Sequence, residues 1–147
     1  MRFSVVASLL LLVPGAFAVT ASRPAAHRIT PSQARELVKL VAQHDDIDLS
    51  DTHIEMNSLD LMSPFVPGYA SYILIREATT PGPDQTLRRY AVNRRTGDVW
   101  EMTLCRRYNF PQLEQMQHAF TERSQPSTAQ LAAESRELGC EGGGGRP

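Results

Sequence analysis

The sequence predicts an α+β fold: an N-terminal helix packed on a three- to four-stranded antiparallel sheet, followed by two C-terminal helices and tied by one disulfide. Three observations carry this expectation. Ala34, Leu37, Val38 and Val41 recur at helical spacing behind a capping sequence. Leu87 to Leu104 reads as two strands around a Thr-Gly turn. Two stretches of helical character then lie between Cys105 and Cys140.

The chain has 147 residues, 41% of them hydrophobic and 21% charged, which suits one soluble domain and excludes a disordered or membrane-embedded bulk. Fifteen Lys and Arg against 16 Asp and Glu leave a net charge of −1, without the positive excess that duplex nucleic acid selects. Residues 1–18 have the form of a secretory signal: Arg2, an apolar run from Val5 to Val13, then Pro14-Gly15 and an A-x-A site at Ala16-Phe17-Ala18. Cleavage after Ala18 is expected to give a secreted or periplasmic protein. No later segment is long and apolar enough to span a bilayer, so no membrane association is expected after cleavage.

Residues 19–29 show no periodicity and read as a flexible lead, with a single domain over residues 30–140. Thr30-Pro31-Ser32-Gln33 supplies an N-cap hydroxyl, Pro at the first helical position and Gln at the third, so a helix starts here and ends near Gln43. A strand is expected around His53 to Leu59. Pro64 and Pro67-Gly68 mark a break, and Tyr69 to Glu77 has the β-branched and aromatic content of a strand. Pro81-Gly82-Pro83 makes Thr79 to Gln85 a loop.

Strands Leu87 to Asn93 and Asp98 to Leu104 then flank Arg94-Arg95-Thr96-Gly97, where Gly97 can supply a left-handed backbone angle. If Asn93 faces Asp98, Val92 pairs with Val99, Ala91 with Trp100, Tyr90 with Glu101 and Arg89 with Met102. Alternation puts Leu87, Ala91, Trp100, Met102 and Leu104 on one face, and Arg88, Tyr90, Val92, Val99, Glu101 and Thr103 on the other. The Trp100 face is expected to meet the first helix. Arg89 is the awkward member of that face and can lay its stem along apolar neighbours. Asn109 and Pro111 open a second helix with Phe110, Leu113, Met116 or Gln117, and Phe120 at helical spacing. Ser127 and Gln130 cap a third that Gly139 closes, with Leu131 and Leu138 as its apolar stripe. Residues 141–147 form a Gly-rich tail that is flexible by composition.

Export makes a Cys105–Cys140 disulfide chemically reasonable, and parity favours it over a catalytic thiol, which would need a His positioned beside it. His44, Asp46, Asp48 and His53 are weak metal candidates. Asp46-x-Asp48-x-Ser50 imitates a calcium loop, but Asp51 stands where Gly is needed and Asn57 where the bidentate Glu belongs, so no metal and no cofactor are expected. No HExxH, GxSxG or phosphate-binding loop is present, and the expectation is a protein that is not an enzyme.

Arg88, Arg94, Arg95 and Arg106 lie on or beside the hairpin. Together with Tyr90 and Val92 they form the candidate binding surface for an unidentified protein partner; the alternative is that these arginines are solvated rim charges. Hairpin geometry puts Arg94 and Arg95 at the tip and Arg88 and Arg106 near the open end, so these need not form a single patch.

Tyr90-Ala91-Val92-Asn93-Arg94-Arg95-Thr96-Gly97-Asp98-Val99 resembles the Y-x-V-(D/N)-x-x-T-G-x-V signature of PepSY-like domains, in which a helix similar to Ser32–Gln43 precedes antiparallel strands. The resemblance covers residues 32 to 102. It implies an exported, non-catalytic domain that binds or inhibits another protein. Two alternatives stand beside it: an immunity-type inhibitor of an envelope-acting hydrolase, and a small secreted hydrolase with dispersed carboxylate or His residues.

Overall fold

The computed structural model describes residues 28–60, 66–121 and 126–140. The expected signal segment, most of the lead and the Gly-rich tail lie outside the described residues.

Helix α1, Pro31–His44, begins with the expected capping box: the Thr30 hydroxyl accepts the Gln33 backbone N–H while Gln33 Oε1 accepts the Thr30 N–H. Strands β1 (Ile54–Ser58), β2 (Tyr69–Arg76), β3 (Gln85–Asn93), β4 (Val99–Glu101) and β5 (Arg106–Arg107) follow, then α2 (Pro111–Thr121) and α3 (Thr128–Glu137). The five strands form an antiparallel meander in sequence order. Ser127 and Gln130 form the second capping box, and Gly139, at φ +71°, follows the end of α3.

The hairpin register is the expected one, with Tyr90 opposite Glu101, Ala91 opposite Trp100 and Val92 opposite Val99. Gly97 has φ +78°, and a Cβ there would sit 3.0 Å from Ile29 Cδ1 and 3.3 Å from Gln117 Cγ. Both the turn and the close approach therefore require glycine. Ile29, placed by its composition in the flexible lead, is instead fully buried, and its N–H donates to the Arg94 carbonyl at 2.7 Å.

Three expectations are corrected. The sheet face that meets α1 is the opposite of the one expected. Ala34, Leu37, Val38, Val41 and Ala42 of α1 pack with Ala70, Tyr72, Leu74, Tyr90, Val92 and Val99, and Leu113 of α2 joins them. Trp100, Ala91 and Tyr69 face the other way, onto Leu138 and Cys140 at the end of α3. Both hairpin faces are apolar, one packed under α1 and the other in part under the end of α3, so alternation alone could not say which helix goes where.

The last hairpin strand is also shorter than expected, and a fifth strand follows it. The buried Glu101 carboxylate accepts the backbone N–H groups of Thr103 at 3.1 Å and Leu104 at 2.6 Å, and Cys105 takes φ +51°. These contacts turn the chain back so that Arg107 pairs with Trp100, and Leu104 is left 62% exposed. A bulge is the third departure. Leu74 pairs with Arg88 and Ile75 with Thr86, which frees Leu87 to pack against the α1 core. Cys105 and Cys140 are joined as expected, fixing the end of α3 to the β4–β5 turn.

Candidate functional site

The six candidate binding residues fall in three places: the core, the hairpin tip and the far end of the sheet. Tyr90 and Val92 lie in the core, 1% and 0% exposed, because α1 covers their face. Arg94 and Arg95 occupy the hairpin tip, where Arg94 Nε donates to the Ile29 carbonyl at 3.4 Å and Arg95 is exposed. Arg88 and Arg106 sit at the far end of the sheet, six strand residues and about 20 Å from Arg94.

At that far end the two arginines converge on Asp45, which follows α1. Arg106 Nη2 donates to both carboxylate oxygens at 3.0 and 2.9 Å, and Arg88 Nε lies 3.8 Å away. The Tyr108 hydroxyl bridges Arg106 and Asp45, and the Arg106 guanidinium lies 4.5 Å above the Tyr108 ring. Burial first, and the bond to Asp45 second, push the Tyr108 phenol up to about 12. The bond to Tyr108 raises the Arg106 guanidinium further above its already high value. The acidic stretch after α1 and the basic hairpin thus meet at this cluster.

Of the metal candidates, His44 stacks on Phe110 at 4.0 Å between ring centroids. Asp48 accepts the Ser50 N–H and hydroxyl, bonds that lower its carboxyl pKa. Asp46 and Asp48 line a shallow hollow to which neither His44 nor His53 contributes. Among the described residues, no three His, Cys, Asp or Glu side chains gather as metal ligands.

A buried carboxyl pair under α3 had no signal in the sequence. Glu134 is 4% exposed and accepts from Asn93 Nδ2 at 3.0 Å, Thr96 Oγ1 at 3.1 Å and Trp100 Nε1 at 3.1 Å. Asp98, fully buried, accepts Arg107 Nε at 3.0 Å and Nη2 at 2.8 Å. Burial, then the neighbouring Asp98 charge, raise the Glu134 carboxyl above its ordinary value. Tyr69 adds a bond to Glu137 at 2.9 Å, and burial pushes its phenol up as well. Alpha-3 is therefore held to the sheet by carboxylates rather than by the expected leucine stripe; Leu138 is buried but Leu131 only partly so. A spacing rule for apolar residues does not register a glutamate that faces inward.

Beside the end of α3, the same outer face opens into a cleft of about 380 Å³ lined by Leu59, Val66, Arg89, Ala91, Met102 and Leu138. Arg89 projects from β3, the middle strand, opposite Ile73 of β2, and its carbonyl accepts the Met102 N–H at 2.8 Å. Its guanidinium is exposed and meets no carboxylate among the described residues.

Residues 46–88 match the family described as effector immunity protein Tgi2PP. That stretch runs from Asp46 through β1 and β2 to Arg88. The fold is similar to a chain in the solved structure of a type VI secretion system effector-immunity complex from Pseudomonas protegens. The TM-score is 0.66 at 25% identity, over 78% of this chain and 91% of that one. No curated protein matches the sequence. These findings overturn the PepSY-like reading. The matched family is a different one, its match ends before Tyr90, and the Tyr90–Val99 pattern reports a glycine-closed hairpin that many folds share.

Proposed function

We propose that this chain is the immunity protein of a type VI effector–immunity pair, a non-catalytic protein that binds one effector and inhibits it. The observation that carries the reading is the agreement of two comparisons. The immunity-family match falls on the β1–β3 region, and the fold likeness to a chain of an effector–immunity complex extends over nearly all of that chain. The enclosed Glu134 and Asp98 hold α3 and are closed to substrate, so neither offers a catalytic carboxylate.

With residues 1–18 read as an export signal, the site of action is the cell envelope and the effector is an envelope-acting hydrolase. The working domain is then the stretch from Ile29 to Cys140.

The test is genetic. Deleting the gene should make cells sensitive to sister cells with an active type VI apparatus. Full-length protein should restore resistance, and a form lacking residues 1–18 should not. Deletion mutants that resist their sisters as well as the parent does would refute the immunity reading.

A further inference from the structure

We propose that the open half of the outer sheet face, centred on Arg89, is the surface that grips the effector, and that it receives a side-chain carboxylate flanked by apolar residues. This rests on the effector-binding reading above. The argument begins with the charge. Arg88 and Arg106 face Asp45, and Arg107 is bonded to Asp98. Arg89, on the central strand, has no such carboxylate among the described residues, although its neighbours are apolar: Ile73 beside it on β2, Met102 next to it across the hairpin, and Leu59 and Val66 along the cleft. A cation on an apolar platform offers a planar donor fork to a carboxylate, and the surrounding side chains would exclude water from the pair once a partner lies over them.

The platform is also fixed in shape. Trp100, Asn93 and Thr96 hold Glu134 of α3, and the disulfide pins the residue after the helix end, so α3 cannot slide along the sheet to cover Arg89. The α1 core behind β3 supports the strand from the other side. A largely apolar cleft whose one lining charge meets no carboxylate among the described residues matches the arrangement in which a few central residues dominate binding.

The experiment measures affinity for the effector captured with the wild-type protein, by calorimetry at two salt concentrations. Arg89→Glu should weaken binding by about 100-fold or more, and Arg89→Lys by about 10-fold, because an ammonium cannot make the two-pronged contact. Met102→Asp, which leaves Arg89 in place, should also weaken binding by about 10-fold or more through the apolar rim. Arg95→Glu at the distant tip should bind within about 3-fold of wild type, and reversal of the partner carboxylate to Arg should restore binding to Arg89→Glu. Thermal melts confirm that each variant is folded. If folded Arg89→Glu and Met102→Asp bind as tightly as wild type, this surface is refuted while the immunity reading stands. If wild type captures no effector, the immunity reading fails instead.

Discussion

Replacing Glu134 with Ala tests the account of how α3 is held. The substitution strands three donors that are shut away from water: Trp100 Nε1, Asn93 Nδ2 and the Thr96 hydroxyl. The Thr96 hydroxyl can rotate toward another acceptor, and Asn93 retains a weak contact to the Tyr69 hydroxyl at 3.5 Å. Among the described residues the indole N–H has only the carboxylate. Counting about 1.5 kcal/mol each for the indole and the amide gives a loss of about 3 kcal/mol. Removing a carboxyl that burial and Asp98 disfavour in its charged form returns about 1 kcal/mol. The net expectation at neutral pH is a destabilisation of about 2 kcal/mol, read as a lowered urea midpoint. The pH dependence has a definite sign. A carboxyl whose folded value is raised stabilises the fold fully below its unfolded value and loses that contribution as pH rises through the folded one. The gap between wild type and Glu134→Ala should therefore widen on acidification, whereas Glu134→Gln, neutral throughout, should flatten the wild-type slope. A change under about 0.5 kcal/mol at every pH, or a gap that widens toward alkaline pH, would refute the reasoning.

Three further outcomes are expected. Replacing Cys105 and Cys140 together with Ala should cost up to about 4 kcal/mol, from the 35-residue separation the bond closes, with the loss measured by denaturant titration against the oxidised parent. Gly97→Ala should destabilise by about 2 kcal/mol, because a left-handed angle is imposed on a side chain that also presses on Ile29, and a thermal melt checks it. Asp45→Asn should bring the Tyr108 phenol down from about 12, since the bonded carboxylate no longer opposes its ionisation; ultraviolet absorbance during alkaline titration follows this directly.

Much of the architecture was legible because local chemistry specifies it. Two capping boxes set the helix starts, and the Gly97 turn set the hairpin register to the residue. The choice of face was not legible, because Tyr90, Val92 and Val99 on one side are as apolar as Ala91, Trp100 and Met102 on the other. Strand β5, at two residues, is too short to leave a periodic signal. The ion pair of Arg106 was not legible for a long-range reason: Arg106 meets Asp45 across 61 residues of sequence, a separation at which charge patterning is silent. Arg89 stood out in the sequence as a misplaced charge. The cleft that gives it a setting arises only where β2 and β4 flank its strand and the end of α3 closes one side.

Strand β3 carries two unrelated obligations on alternate residues, with Tyr90 and Val92 in the core and Arg89 and Ala91 on the outer face. Variation can accumulate at Arg89, whose side chain is exposed, at a stability cost within about 0.5 kcal/mol. A lineage can thus change the chemistry it displays there while inheriting its fold unaltered. An inserted residue between Arg89 and Val92 that no bulge absorbs, as the one at Leu87 absorbs its own, would reverse the alternation on one side of it and set a core residue on the outer face. Diversification on the paired stretch Arg89–Val92 is therefore open to substitution, and a change of length there is tolerated only with a bulge.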